Sequence, residues 1–244
     1  MATPTYTVED TLFNFINGEK TRASTSEYLD NFEPAKGTPM SKVPRSSSQD
    51  VDAAIKAAKD ALPAWSALAP TERADYLDKI AAAITAHMHE LAVIESRDTG
   101  KPLSLALAVD IPRARDNFAF FAGAIRHDFT ECHTMGGNLA DGPLTVDGRP
   151  NTMAVNYTQR RPVGVAGLIT PWNLPLYLLS WKVAPALAVG NTVVAKPSEF
   201  TPHTATVLAQ ICHAVGLPPG VFNVVHGTGA VAGQVRITVH ISLA

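Results

Sequence analysis

The sequence predicts an α/β protein: an incomplete doubly wound parallel sheet of βαβαβ type, preceded by a helical region and a β-hairpin arm. Three observations predict it. Short apolar runs suited to buried strands occur at residues 163–169, 191–195 and 221–225. Helical segments at 174–189 and 201–215 fill the two intervals between them, the alternation that gives right-handed parallel crossovers. Ahead of these, the first 143 residues carry apolar positions at helical spacing.

The elements follow in chain order. Residues 11–43 are punctuated by turns: Asn17-Gly18 is a hairpin signal, and Asn31 to Pro34 with Gly37 marks a second turn, so a peripheral hairpin is expected. Ser46, Ser47 and Ser48 open a helix whose Val51, Ile55, Ala58 and Leu62 recur at three and four residues. A second helix begins near Ala69-Pro70 and places Tyr76, Leu77, Ile80 and Ile84 on one side. A third, from about His87 to Arg97, is stopped by the stretch Asp98-Thr99-Gly100-Lys101-Pro102. A fourth starts near Asp110-Ile111-Pro112, and its Phe118, Phe121 and Ile125 read as helix packing. Residues 144–161, with Asp147-Gly148 between LTV and MAVNYTQ, read as a two-stranded arm that must pack on something else, a partner chain included.

The strand and helix pattern from residue 162 to 234 is a Rossmann-like mononucleotide-binding half. Its phosphate-type glycines, Gly227, Gly229 and Gly233, follow the third strand, not the first, so this is not the usual GxGxxG fingerprint. Residues 235–244 alternate apolar and polar side chains and form a divergent tail.

Composition bounds the function. With 46% hydrophobic and 17% charged residues among 244, the chain has a globular composition. A formal charge of -2 supplies no basic field for nucleic acid or an anionic membrane, and neither is expected as a partner. Residues 162–181 run without a charge, yet three prolines, two glycines and an asparagine make them strand, turn and helix start, not a membrane span. The acidic N-terminus does not resemble a signal peptide, and a cytoplasmic location is expected. Cys132 and Cys212 form no CxxC pair and read as small structural residues; the eight histidines offer no metal set, so no metal is expected.

Several motifs in order carry a resemblance: ITPWN (169–173), Trp181-Lys182, APALAVGNTVVAKPSE (184–199) and PPGVFNVVHGTG (218–229), with ESRDTGKP and DIPRARDNFAFFAG upstream. Together they resemble the aldehyde dehydrogenase superfamily over about residues 13–234, and look closest to its 2-aminomuconic and hydroxymuconic semialdehyde dehydrogenases. The resemblance implies an NAD-dependent oxidation of an aldehyde, possibly a semialdehyde, to a carboxylate. In that chemistry a cysteine thiolate attacks the aldehyde, hydride passes to nicotinamide, and a glutamate activates water.

Carried onto this sequence, the resemblance implies that Asn173 donates to the oxyanion, against the simpler reading of a helix cap. Ile169, Thr170, Pro171, Trp172 and Asn173 would wall the nicotinamide half of the cofactor. Lys196, Ser198 and Glu199 would serve the adenosine ribose, and Gly229 and Gly233 would let the chain pass close to the adenine side. Glu199 can accept from both ribose hydroxyls and would repel a 2'-phosphate, which favours NAD over NADP. Lys182 is a possible proton relay, its alternative a solvated helix lysine. The resemblance also implies homo-oligomers. The nucleophilic cysteine, the base glutamate and the FTGS motif of the family fall in segments this sequence does not contain. A catalytic domain is therefore expected to be absent and the chain inactive alone. The alternative is a non-catalytic fragment that binds NAD or pairs with other subunits.

Overall fold

The computed structural model describes residues 5–135 and 154–233. Residues 144–153 of the expected arm, Gln234 and the 235–244 tail lie outside them. The chain forms two compact units, residues 127–161 and all the rest.

In the larger unit the parallel sheet is built from β7 (Val165–Ile169), β8 (Thr192–Lys196) and β9 (Phe222–Val224), linked by α6 (Pro175–Ala188) and α7 (His203–Ala214). Val165 pairs with Thr192 and Val193 with Phe222, both in parallel register. The fold class is the one expected, and the five segments lie within a residue or two of their predicted bounds.

β8 is buried along its whole length, and its pleat shows why the sheet must be covered on both faces. Val193 and Ala195 enter the main core with Leu176, Leu179, Val183 and Leu187 of α6; Val194, facing the other way, packs with Val51, Ala54 and Ala58. Those three belong to α1 (Ser48–Ala67), started by a capping box in which Ser47 accepts from Gln49 N–H and Asp50 accepts from Ser47 N–H at 2.8 Å. Each fully buried leucine contributes ~1.5–3 kcal/mol to this core.

α2 (Pro70–Ala86) and α3 (Met88–Thr99) follow; Leu77, Ile80 and Ile84 are fully buried, and α3 ends on Gly100 with φ of 76°. Next come the single turn α4 (Leu103–Leu105), a π-helical turn Ala106–Asp110, and α5 (Ile111–Arg126) with Phe118 buried. The start of the fourth predicted helix is therefore a widened turn that ends on a buried aspartate.

The N-terminal strands differ from expectation. β1 (Asn14–Ile16) and β2 (Glu19–Thr21) form the predicted Asn17-Gly18 hairpin, with φ of 55° and 81° at the turn, but the hairpin is not peripheral. β1 pairs antiparallel to β9, so the sheet order is β2-β1-β9-β8-β7. An open β9 edge would leave unpaired backbone groups, and β1 supplies their partner. β3 (Tyr28–Glu33) and β4 (Thr38–Pro44) make a separate ribbon around the second predicted turn.

In the smaller unit, β5 (Cys132–Met135) pairs antiparallel with β6 (Ala154–Tyr157). The expected arm opened at residue 144; the described pairing instead draws in the earlier strand β5. No helix among the described residues is long and apolar enough to cross a membrane.

Candidate functional site

The predicted site residues collect at the carboxyl ends of β7 and β8 and beyond β9, where open α/β sheets bind ligands. Ile169 closes β7 and Lys196 closes β8; Thr170, buried, donates its N–H to the Lys196 carbonyl at 3.3 Å. The chain then leaves the sheet through Pro171, Trp172 and Asn173 before α6 begins. This stretch has no regular structure, and side chains take two of its carbonyls and the last carbonyl of β7. Lys182 Nζ donates to Ile169 O at 2.6 Å, Thr201 Oγ1 to Trp172 O at 3.4 Å, and Lys101 Nζ to Asn173 O at 3.2 Å.

Asn173 is exposed, and among the described residues its side-chain amide has no hydrogen-bond partner. It does not cap α6: the N-cap position falls on Leu174, without a side-chain bond. An exposed amide beside a helix start, not used by the fold, is free to donate to a ligand.

Lys196 is only 3% exposed. Its ammonium donates to Pro197 O at 2.6 Å, Gly227 O at 2.8 Å and Glu199 Oε2 at 3.2 Å. Burial pushes the Glu199 carboxyl up, but its own N–H, the Lys196 charge and hydrogen bond, and the Gly229 N–H together hold it below the usual range. Glu199 is thus an ionised, half-buried acceptor. Ser198, buried, accepts from Phe200 N–H at 3.2 Å and shapes the turn that presents it.

After β9 the chain folds back through a π-helical turn, Gly229–Gly233. A Cβ on Gly229 would meet nothing within 4 Å, so no packing among the described residues demands glycine there. One on Gly233 would touch Lys196 Cδ at 3.8 Å and Ile169 Cδ1 at 3.9 Å, which places this turn over the ends of β7 and β8. The constrained glycine is Gly227: its φ is 145° and a Cβ would stand 3.0 Å from that of Ala232.

A cleft of about 580 Å³ adjoins these residues, lined by Phe32, Lys101, Trp172, Asn173, Glu199 and Phe200 among others. It takes in Trp172, Asn173 and Glu199 of the predicted set; Ile169, Thr170, Pro171, Lys182, Lys196, Ser198, Gly229 and Gly233 do not line it. Trp172 and Phe200, 60% and 67% exposed, stand edge to face across 6.4 Å. Sequence reasoning missed Lys101, Thr201 and Phe200. In the sequence Lys101 belongs to a helix stop and to the ESRDTGKP motif, but nothing in the spacing of residues so distant in the chain joins it to Asn173.

Residues 21–241 match the model of the aldehyde dehydrogenase family. The chain belongs to this family. It is 46% identical over 227 residues to a 2-aminomuconic semialdehyde dehydrogenase of Danio rerio, covering 93% of this chain and 43% of that protein. It is 43% identical to a 2-hydroxymuconic semialdehyde dehydrogenase of Pseudomonas sp. strain CF600, over 93% of this chain and 45% of that one. An NAD+ complex of an aldehyde dehydrogenase from Bacillus cereus superposes with a TM-score of 0.85 at 35% identity, covering 96% of this chain and 45% of that structure. This aldehyde dehydrogenase chain therefore spans less than half the length of the relatives it matches.

Proposed function

We propose that this chain is the nicotinamide-dinucleotide-binding part of an aldehyde dehydrogenase that oxidises a semialdehyde to a carboxylate, with NAD preferred over NADP. The observation that carries the reading is the exposed Asn173 amide, which has no hydrogen-bond partner among the described residues and is held beside the ends of the parallel strands. The residues present fit the dinucleotide. Glu199, kept ionised by Lys196 and the Gly229 N–H, can accept from two ribose hydroxyls and would repel a phosphate placed on one of them. The open space at Gly229 leaves room for close backbone approach. Ile169, Thr170, Pro171 and Trp172 would wall the nicotinamide half, and Gly233 and Ser198 shape the adenosine side.

Oxidation of an aldehyde to a carboxylate removes two electrons, and the nicotinamide, when bound, supplies their acceptor. What this chain adds is position and charge: Asn173 donates to the oxygen that becomes anionic, and Lys196 keeps Glu199 fixed at the ribose. The likeness to muconic semialdehyde dehydrogenases supports a semialdehyde as substrate, and the NAD+ complex of the Bacillus cereus relative supports the cofactor.

Calorimetric titration of the chain tests the binding step. NAD should bind, NADP should bind more weakly, and Glu199→Gln should lower NAD affinity by about tenfold while narrowing the difference between the two, the effect of losing ~1.4 kcal/mol of charged hydrogen bonding. Absence of heat at millimolar NAD, or an unchanged NAD/NADP ratio in the variant, would remove the reading.

A further inference from the structure

We infer that Lys101 is the positioning residue for Asn173: from a buried carboxylate cluster its ammonium fixes the Asn173 carbonyl, and so the direction in which the Asn173 amide points. The inference rests on the reading of Asn173 as a donor to the developing oxyanion.

The cluster joins elements distant in sequence. Lys101 follows α3, and its side chain is only 12% exposed. An ammonium has three donors. One is bonded to Asp110 Oδ2 at 2.5 Å, one to Asn173 O at 3.2 Å, and the remaining charge faces Glu95 Oε1 at 3.9 Å. Both carboxylates are fully buried, and Glu95 Oε1 has no hydrogen-bond partner among the described residues. Lys101 is therefore the cation that makes two buried acids tolerable, and it cannot swing into solvent without stranding them.

Asp110 ends the π-helical turn Ala106–Asp110, a rare geometry that occurs at functional sites. Glu95 reaches the same junction from the other side. Its Oε2 accepts from Thr204 Oγ1 at 2.9 Å, and the Leu176 N–H in the first turn of α6 faces the same carboxylate. The backbone from Asn173 to Leu176 thus lies against one buried network and is bonded to it at Asn173 O. Lys182 on Ile169 O is the corresponding anchor where the stretch begins, but it lies on an exposed helix face and carries no comparable set of acids.

Selective 15N labelling of asparagine in the 244-residue chain tests this. The Asn173 side-chain amide pair is assigned by its disappearance in Asn173→Ser, and the buried Trp65 indole N–H, labelled separately, reports the core. Lys101→Met should shift the Asn173 pair and lower its heteronuclear NOE while the Trp65 signal stays in place, and Lys101→Arg should restore the pair. If Lys101→Met does not fold, Lys101→Gln, too short to reach both partners, is read in the same way. An Asn173 pair unmoved in the folded variant, a change shared equally by Trp65, or no restoration by arginine would overturn the inference. The two readings fail separately: loss of NAD binding in the wild-type chain with a Lys101-dependent Asn173 signal removes the cofactor reading and keeps the anchor.

Discussion

Lys101, Lys182 and Lys196 have the same side chain and different tasks, set by what surrounds each. Lys196 is sunk at the end of a buried strand and bonds two carbonyls and Glu199; Lys101 balances two buried acids; Lys182 holds one carbonyl from an exposed face. The cysteines divide just as sharply. Cys212 lies in the core, where burial pushes its thiol well above the usual range, while Cys132 is exposed on β5. The thiolate is the reactive form, and an inaccessible thiol held protonated reacts only after the chain opens. A chromogenic disulfide reagent should therefore titrate one thiol of the native chain quickly and the second only in denaturant, and Cys132→Ser should abolish the fast phase. A fast phase surviving in Cys132→Ser would mean that Cys212 is not buried as described.

At the scale of elements, Gly220 shows what tertiary packing adds to a turn. Its φ is 82°, and a Cβ there would stand 2.5 Å from the Ala57 carbonyl of α1 and 3.0 Å from the Ala61 Cβ. Gly216 has a similar φ, 87°, with nothing within 4 Å. Alanine at 216 should cost about 1 kcal/mol, the left-handed backbone alone. At 220 it should cost ~3 kcal/mol or more, because α1 must also move. Urea midpoints of the two variants check this, and equal losses would show that α1 does not press on the turn. The same contrast explains what could be read from the sequence. The βαβαβ alternation, the helix faces and the Asn17-Gly18 turn are local patterns, and ITPWN and KPSE stand together as motifs, so the fold class was legible, and with it the gathering of the candidate residues at the strand ends. The pairing of Phe15 with Val224 was not, because three-residue strands carry no register information across so long an interval. The Lys101 to Asn173 contact was invisible for the same reason: it depends on a π-helical turn and on burial that no periodicity records.

Across the whole molecule, the buried ionisable groups pull stability in opposite directions. Burial raises Glu95 from 4.5 to about 7, against hydrogen bonding from Thr204 and the Lys101 charge, and raises Asp98 from 3.8 to about 8, against the His203 N–H and Asn31. Burial lowers His203 from 6.5 to about 4 and His226 from 6.5 to about 3. For the two acids the folded chain binds more protons than the unfolded chain between each pair of values, so stability falls as pH rises through those intervals. For the two histidines the unfolded chain binds more, and stability rises with pH up to about 6.5. The lowered carboxyl of Glu199 adds stability that is lost only as pH falls below its ordinary value of 4.5; Tyr6 and Cys212, both raised by burial, act only above their ordinary 10.0 and 9.0. Below about 6.5 the acids and histidines therefore oppose one another, while from 6.5 to 8 the acids act alone. The melting temperature should fall across that upper window, and Asp98→Asn, whatever its absolute stability, should flatten the segment from about 7 to 8, where Glu95 has already ionised. A wild-type melting temperature that is level or rises from pH 6.5 to 8, or an unchanged slope in Asp98→Asn, would show that Glu95 and Asp98 are already ionised in the fold at neutral pH.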